Sequence, residues 1–339
     1  MKGVGKDLPS FLFRPVSYRQ PFLTVLDQTR LPARIRFVRL RSAEEVAEAI
    51  RRLKVRGAPW IGVAAGYGLA VEAWRLTDRQ LRTGMKRAAR MLLASRPTAV
   101  NLAWAVERVM QRLKGTCLSP EALRLSVEKE ARKIEQEEIE RSIAMARQGA
   151  RLVPKGATIL TICNSGALAG PGMGTALGVI FQAHLEGKRP RVFVCETRPL
   201  FQGARLTTLE LLRARIPCTL IPDSAAASVI EKCDLVLVGA DRIARNGDTA
   251  NKVGTKMLAL LAKEAGRPFY VVAPSSSFDP RARTGADIEI EERPADEVIR
   301  CGRSRVAPDK VRVFNPAFDI TPAQLITAFI TDKGVVKRL

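Results

Sequence analysis

Ala157-Thr-Ile-Leu-Thr-Ile-Cys-Asn-Ser-Gly-Ala-Leu-Ala-Gly-Pro-Gly-Met-Gly174 is the stretch whose reading decides the fold. Residues Ala157–Ile162 are apolar and rich in β-branched side chains, which predicts a short buried strand. The strand stops at Cys163, a loop of small residues and glycines follows, and Thr175–Glu186 resumes with helical apolar spacing. In a strand, glycine loop and helix, backbone N–H groups can face an anionic ligand. Cys163 would stand at the carboxyl end of the strand, where open α/β sheets place their ligands. Taken alone, the same letters also fit a tight turn with a buried thiol, since a free Cys usually behaves as a small hydrophobe.

Downstream the alternation continues. Strand-like runs at Arg191–Cys195, Cys218–Ile221, Leu235–Val238 and Phe269–Val272 alternate with helical spacing over 175–186, 204–215, 225–232 and 252–264. Five strands with four intervening helices predict a parallel, doubly wound sheet. The tail adds a strand at Arg312–Phe314 and a helix near Pro322–Thr331. The strand ends carry Cys163-Asn164, then Glu196-Thr197-Arg198 leading to Gln202-Gly203-Ala204-Arg205, then Asp223. The fourth carries Gly239-Ala240-Asp241-Arg242, followed by Asn246-Gly247-Asp248 and Asn251-Lys252. Carboxyl ends of parallel strands share one edge, so these groups can converge on one crevice. Polar residues at one strand end are ordinary; a thiol, carboxylates, amides, arginines and a lysine at four successive ends are a candidate site.

Upstream the chain reads differently. Phe22–Leu26 and Ile35–Val38 are short strands around a turn at Asp27–Pro32. Ser42 with Glu45 three residues on forms a capping box for a helix to about Val55. Arg56-Gly57-Ala58-Pro59 leads into a Gly/Ala-rich apolar helix, Ile61–Trp74. Helices follow at Asp78–Ala94 and Ala99–Leu113, with Ser95-Arg96-Pro97-Thr98 between them, and Pro120 opens a long charged helix, Glu121–Gln148. The expected organisation is a mostly helical N-terminal domain with a small β element over 1–120, a linking helix over 121–150, and the α/β domain over 151–339.

Composition narrows the function. At 339 residues and 46% hydrophobic, the chain can bury a large core. No apolar run approaches the ~18 residues of a membrane span. The start, Met1–Pro21, has no secretory apolar core, so the expected location is cytoplasmic. Six cysteines without a CxxC read as reduced thiols. A single histidine, His184, leaves little from which to build a histidine zinc site, a Ser–His–Asp triad or a Cys–His thiol protease. The net charge of +22 is mostly arginine along helices, with Arg75, Arg79, Arg82, Lys86 and Arg90 at helical steps. No RNA-binding motif or zinc finger accompanies it, so the charge reads as a solvated face without a specific nucleic-acid partner.

Lys252, Arg56 and Arg96 suit a phosphate, although each arginine alone would read as surface charge. Arg56-Gly57-Ala58-Pro59 meets its helix at the positive end, with proline in the first turn. Asp241 follows an apolar strand, where a partly dry carboxyl can hold a proton near neutrality; otherwise it is an N-cap or a partner of Arg242 or Arg245. Cys163 can exchange a proton if neighbouring positive charge favours its thiolate.

Arg56-Gly57-Ala58-Pro59, Arg96-Pro97-Thr98-Ala99-Val100-Asn101, Cys163-Asn164, Glu196-Thr197-Arg198-Pro199, Gln202-Gly203-Ala204-Arg205, Gly239-Ala240-Asp241-Arg242 and Asn251-Lys252 together resemble the methylthioribose-1-phosphate isomerases. That superfamily also holds ribose-1,5-bisphosphate isomerases and regulatory subunits of a translation-initiation exchange factor. The resemblance runs from about Leu26 to Ile330. It implies a helical N-terminal domain, a Rossmann-like C-terminal catalytic domain, a homodimer and no cofactor or metal. It implies that Asp241 is the catalytic acid, Cys163 the catalytic cysteine, and Arg56, Gly57, Ala58, Arg96, Gln202, Asn251 and Lys252 substrate contacts. The implied reaction is isomerisation of 5-methylthioribose 1-phosphate to 5-methylthioribulose 1-phosphate in methionine salvage. Two positions depart from the family pattern: Ile162, where His is common before the cysteine, and Ser224-Ala225, where Asn-Met is expected. The alternatives are an isomerase of 5-deoxyribose 1-phosphate or ribose 1,5-bisphosphate, or a non-catalytic regulatory protein of the translation-factor kind.

Overall fold

The computed structural model describes residues 8–96, 99–114 and 118–337. Pro97-Thr98 of the arginine motif and Cys117 lie outside the described residues. The chain partitions into two units, Met1–Ile143 with Gly166–Gly174, and Ala144–Ser165 with Thr175–Leu339.

The first unit opens with an antiparallel sheet of β1 (Val16–Arg19), β2 (Phe22–Leu26) and β3 (Phe37–Leu40), with Val16 opposite Val25 and Leu23 opposite Leu40. The sequence reading had no counterpart of β1. In α1 (Ala43–Arg51) the Ser42 hydroxyl accepts from the Glu45 amide at 3.1 Å, and the Glu45 carboxylate accepts from the Arg41 amide at 2.7 Å. The second bond is one residue out from a standard capping box. Helix α2 (Ala58–Arg75) is buried along nearly its whole length. Its glycines permit this: a Cβ on Gly62 would lie 2.8 Å from the Asn101 carbonyl of α4 (Val100–Met110). Around α2 pack α1, α3 (Leu81–Leu93) and α4. The long α5 (Pro120–Ala150) contributes Leu123, Val127, Ala131 and Ile134 to the same core. The basic face expected from Arg75 to Arg90 is shorter: Arg75 ends α2 and pairs with Glu72, while Arg82, Lys86 and Arg90 lie on α3.

The second unit is built on a seven-stranded sheet. Its strands are β4 (Thr158–Thr161), β5 (Arg191–Cys195), β6 (Cys218–Ile221) and β7 (Leu235–Val238), joined through α6 (Ala176–Leu185), α7 (Thr208–Arg213) and α8 (Ala226–Val229). After β7 the chain makes a hairpin of β8 (Arg242–Ile243) and β9 (Thr249–Lys252), then α9 (Thr255–Glu264) and β10 (Phe269–Val272). A short α10 (Asp296–Ile299) precedes the small hairpin β11 (Arg300–Cys301) and β12 (Ser304–Arg305). Then come β13 (Phe318–Thr321), β14 (Ala328–Thr331) and β15 (Gly334–Val336). The sheet order is β15-β14-β10-β7-β4-β5-β6, parallel except for β15. Counting only parallel strands, this is third, second, first, fourth, fifth, sixth, the Rossmann order with its switch point between β4 and β7.

Two expectations for the tail fail. Arg312–Phe314 forms no strand, and Phe314 is 81% exposed. The segment expected to be a helix near 322–331 is instead a 3-10 turn followed by β14, buried at every position beside β10. A continuous apolar run reads equally as a buried helix or a central parallel strand, and its Ile, Thr and Phe content favours the strand. The helix expected from 252 begins at Thr255, because Lys252 ends β9 and Gly254 turns the chain with φ 101°.

Candidate active site

The pairing of β4 with β7 sets Ile159 opposite Leu235 and Leu160 opposite Val236. Cys163 leaves the carboxyl end of β4, and Asp241 leaves the carboxyl end of its neighbour β7. Adjacent strands lie about 4.8 Å apart, so the two residues flank the switch point, where doubly wound sheets bind ligands. Both are half-buried.

Cys163 has φ 65°, a left-handed conformation uncommon for a residue with a side chain. It is held from both sides: its amide donates to Thr197 Oγ1 at 2.9 Å, and its carbonyl accepts from Thr207 Oγ1 at 2.6 Å. Thr197 follows β5, is fully buried, and has φ 68°. Its amide donates to Asp223 at 2.8 Å, as does that of Arg198 at 2.7 Å, so one carboxylate after β6 fixes the turn after β5. The ends of β4, β5 and β6 are therefore tied in one chain of bonds. Asn164 is buried and donates to Glu210 at 2.6 Å. Gln202 is buried too, with its side-chain oxygen unpaired. The next residue must be glycine: a Cβ on Gly203 would lie 1.8 Å from the Cys195 carbonyl. Burial, then the Asp223 charge, pushes the Glu196 carboxyl up against the opposing pull of Arg198.

Asp241 enters a second, smaller sheet, ordered β13-β9-β8. Its amide donates to the Ala250 carbonyl at 3.0 Å, next to Asn251 and Lys252. Arg242 pairs with the buried Asp279. Asn251 Nδ2 donates to Thr255 Oγ1 at 2.9 Å, and Lys252 Nζ donates to the Ala317 carbonyl at 2.8 Å. A Cβ on Gly254 would lie 2.7 Å from Ile162 Cδ1, so the turn after Lys252 packs on the residue preceding Cys163. Asp248 closes the β8–β9 hairpin. Burial alone would raise its carboxyl, but bonds from the Asn246 side chain and the Gly285 and Ala323 amides outweigh that and hold it low.

Arg56, Gly57, Ala58 and Arg96 belong to the first unit. Gly57 has φ 84° and caps α2, and a Cβ there would strike the Ala169 carbonyl at 2.1 Å. Two carbonyls of the 166–174 loop accept side-chain donors of this unit: Ala167 from Trp60 Nε1 at 2.8 Å and Leu168 from Gln28 Nε2 at 2.7 Å. The glycine loop is thus a packing element around the α2 start as well as a connection after β4. Arg96 follows α3 and is half-buried. Among the described residues, no three His, Cys, Asp or Glu side chains gather as a metal site requires, and no helix is long and apolar enough to cross a membrane.

Sequence reasoning quoted Thr197 and Asp223 without giving them a task, and it missed Thr207. Thr197 had a signal only in its position after a strand.

A parallel sheet in this order, with thiol, carboxylate and amide groups gathered at its switch point, defines a doubly wound α/β protein with a small-ligand site. Residues 54–338 match the initiation factor 2 subunit family, and the methylthioribose-1-phosphate isomerase of Pelotomaculum thermopropionicum is 51% identical over 323 residues, 93% of this chain and 88% of that protein. The chain belongs to the methylthioribose-1-phosphate isomerases within that family. The solved structure of 5-methylthioribose 1-phosphate isomerase from Pyrococcus horikoshii OT3 is 43% identical with a TM-score of 0.89, covering 96% of this chain and 93% of that one. The structure named translation initiation factor eIF-2B, subunit delta, from A. fulgidus is 44% identical with a TM-score of 0.85, covering 96% of each chain.

Proposed function

We propose that the chain is an aldose–ketose isomerase converting 5-methylthioribose 1-phosphate to 5-methylthioribulose 1-phosphate in methionine salvage. It would act as a cytoplasmic homodimer, by acid–base catalysis that calls on no cofactor. The observation that supports this reading is that Cys163 and Asp241 follow the carboxyl ends of β4 and β7, the two neighbouring strands that flank the switch point. The chemistry calls for two such groups. The anomeric oxygen of the substrate bears phosphate, so the ring must open with acid help at the ring oxygen. Asp241 donates that proton as the bond from C1 to the ring oxygen breaks. Hydrogen then moves from C2 to C1 while the C2 hydroxyl returns its proton to the Asp241 carboxylate and becomes the ketone carbonyl. Cys163 serves this transfer, carrying a proton if the route runs through an enediol, or shaping the pocket if hydrogen crosses as hydride. Arg56, Gly57, Ala58, Arg96, Gln202, Asn251 and Lys252 bind the sugar phosphate, the cations and amides as fixed donors to phosphate oxygens.

A regulatory role of the translation-factor kind is the second reading, because a structure 44% identical carries that name. Such a role needs neither Cys163 nor Asp241. The test is an assay of purified protein against 5-methylthioribose 1-phosphate, 5-deoxyribose 1-phosphate and ribose 1,5-bisphosphate, following ketose formation. Turnover of the methylthio substrate above the others is expected. Preference for either of the others corrects the substrate, and no turnover of any of them favours the regulatory reading. Deuterium at C2 separates the two routes, since a proton relay exchanges the label with water and a hydride shift retains it.

A further inference from the structure

The Asn251–Lys252 pair is held by a strand that comes from far down the chain. β13 runs antiparallel to β9, with Asp319 opposite Asn251 and Phe318 opposite Lys252. The Asp319 carboxylate accepts from the Gly254 amide at 2.7 Å and from the Lys256 amide at 3.1 and 3.2 Å through its two oxygens. Gly254 turns with φ 101°, so the carboxylate spans a tight reversal just after Lys252. Within that turn Thr255 Oγ1 donates to the Lys252 carbonyl at 2.6 Å and accepts from Asn251 Nδ2 at 2.9 Å. The Lys252 ammonium lies 5.0 Å from the centre of the Phe318 ring. Asn251 is thus bonded into the turn that Asp319 closes, and Lys252 stands at the start of that turn, with its ammonium also donating to the Ala317 carbonyl at 2.8 Å.

We propose that Asp319 is a positioning residue, whose carboxylate fixes the Lys252–Lys256 turn so that Asn251 and Lys252 meet the phosphate of a sugar-phosphate ligand. This rests on the reading of Asn251 and Lys252 as phosphate ligands. Asp319 does not itself face the phosphate as a donor; like charge would repel it. The charged groups that face it are Lys252 on β9 and Lys256 at the start of α9. Burial pushes its carboxyl up to about 6, against the opposing pull of the Gly254 and Lys256 amides and the two lysines. As pH falls through that value the turn loses its charged acceptor, and phosphate binding weakens.

The experiment compares wild type, Asp319→Asn, Lys252→Ala and the double variant, measuring kcat and KM from acid to mildly alkaline pH. Inorganic phosphate titrated by calorimetry gives a binding readout that needs no turnover. In mildly alkaline buffer, Asp319→Asn is expected to raise KM and the phosphate dissociation constant by roughly tenfold, with kcat nearly unchanged. Wild type should show an additional rise in KM below about pH 6 that the variant lacks. The substrate phosphate also ionises near pH ~6, but it does so equally in both proteins, so the difference between the two profiles is the readout. Adding Asp319→Asn to Lys252→Ala should cost little more than Lys252→Ala alone. A fall in kcat at constant KM, superimposable pH profiles, or additive effects in the double variant would overturn the proposal. If Asp319→Asn does not fold, Asp319→Glu replaces it. A raised KM with the acid limb retained supports positioning by charge, and an unchanged KM overturns it. Wild type that neither turns over sugar phosphates nor binds inorganic phosphate defeats the site reading and this proposal with it. Active wild type with an indistinguishable Asp319→Asn variant defeats the proposal alone.

Discussion

Replacing Thr197 by Val removes one hydroxyl and keeps the shape of a fully buried side chain. Two bonds go with it. The Cys163 amide loses its acceptor at 2.9 Å, and the Cys195 carbonyl loses a donor at 3.0 Å. A buried amide left without a partner costs about 1–3 kcal/mol and a second neutral bond contributes about 1 kcal/mol, so the expected loss of stability is about 2–4 kcal/mol. The effect on turnover has a separate cause. Cys163 has φ 65°, and for an L-residue that conformation costs about 1–2 kcal/mol unless its surroundings hold it. With the Thr197 anchor gone, the amide side of Cys163 loses its hold, while Thr207 still bonds its carbonyl. A displaced reacting group of this kind typically costs on the order of 10²-fold in rate. Urea unfolding and steady-state isomerisation measure the two losses independently. Thr197→Ser keeps the oxygen and should stay close to wild type in both. The reasoning fails if Thr197→Val matches wild type in stability and turnover, or if Thr197→Ser is as damaging as Thr197→Val.

Cys163→Ser and Asp241→Asn should each lower kcat by ~10²–10⁴-fold while the protein still binds sugar phosphate, because each removes a proton-exchanging group and preserves its shape. Near wild-type rates in both, checked by the same ketose assay, would make the acid–base assignment wrong. Lys252→Ala should mainly raise KM, since it deletes one charge-assisted contact worth ~1.5–3 kcal/mol; calorimetry showing unchanged affinity would remove Lys252 from the phosphate site. Activity should survive dialysis against a chelator, and loss of turnover restored by a divalent cation would count against the proposed chemistry.

Much of the second unit was legible because its strands are short, apolar and β-branched. The hairpin that carries Asn251 and Lys252 was not. Thr249–Lys252 has no strand-like pattern of its own, and its partner β13 is supplied by Phe318–Thr321, far down the chain. The misread tail has the same origin. Ala328–Thr331 becomes a strand because β10 has an open edge to receive it, and that edge exists only once the sheet is assembled. The composition of the glycine loop answers a second demand. Its small residues suit an anion cradle, yet Gly57 and Gly172 are also required by close approaches, to the Ala169 carbonyl and to Ser142 Oγ, where a Cβ would sit 2.1 and 2.2 Å away. Glycine records that backbone comes near, without recording what comes near it.

The same limit applies to the proposed catalytic pair, whose strand ends become neighbours only through the sheet order. Thr161 on β4 donates through its hydroxyl to the Leu237 carbonyl on β7 at 2.7 Å, across 76 residues of sequence. Strands laid down in chain order would have put β5 and β6 between β4 and β7, separating their ends by about 14 Å at ~4.8 Å per strand. Side chains of Cys and Asp could not then act on the C1 and ring oxygen of one sugar. The crossover from β6 back to the far side of β4 brings them to neighbouring positions, and the same reversal opens the crevice between helices on opposite faces. An ordinary thiol and an ordinary carboxylate become a candidate proton-transfer pair through topology, with the positive-φ turns at Cys163 and Thr197 fixing the geometry that topology leaves free.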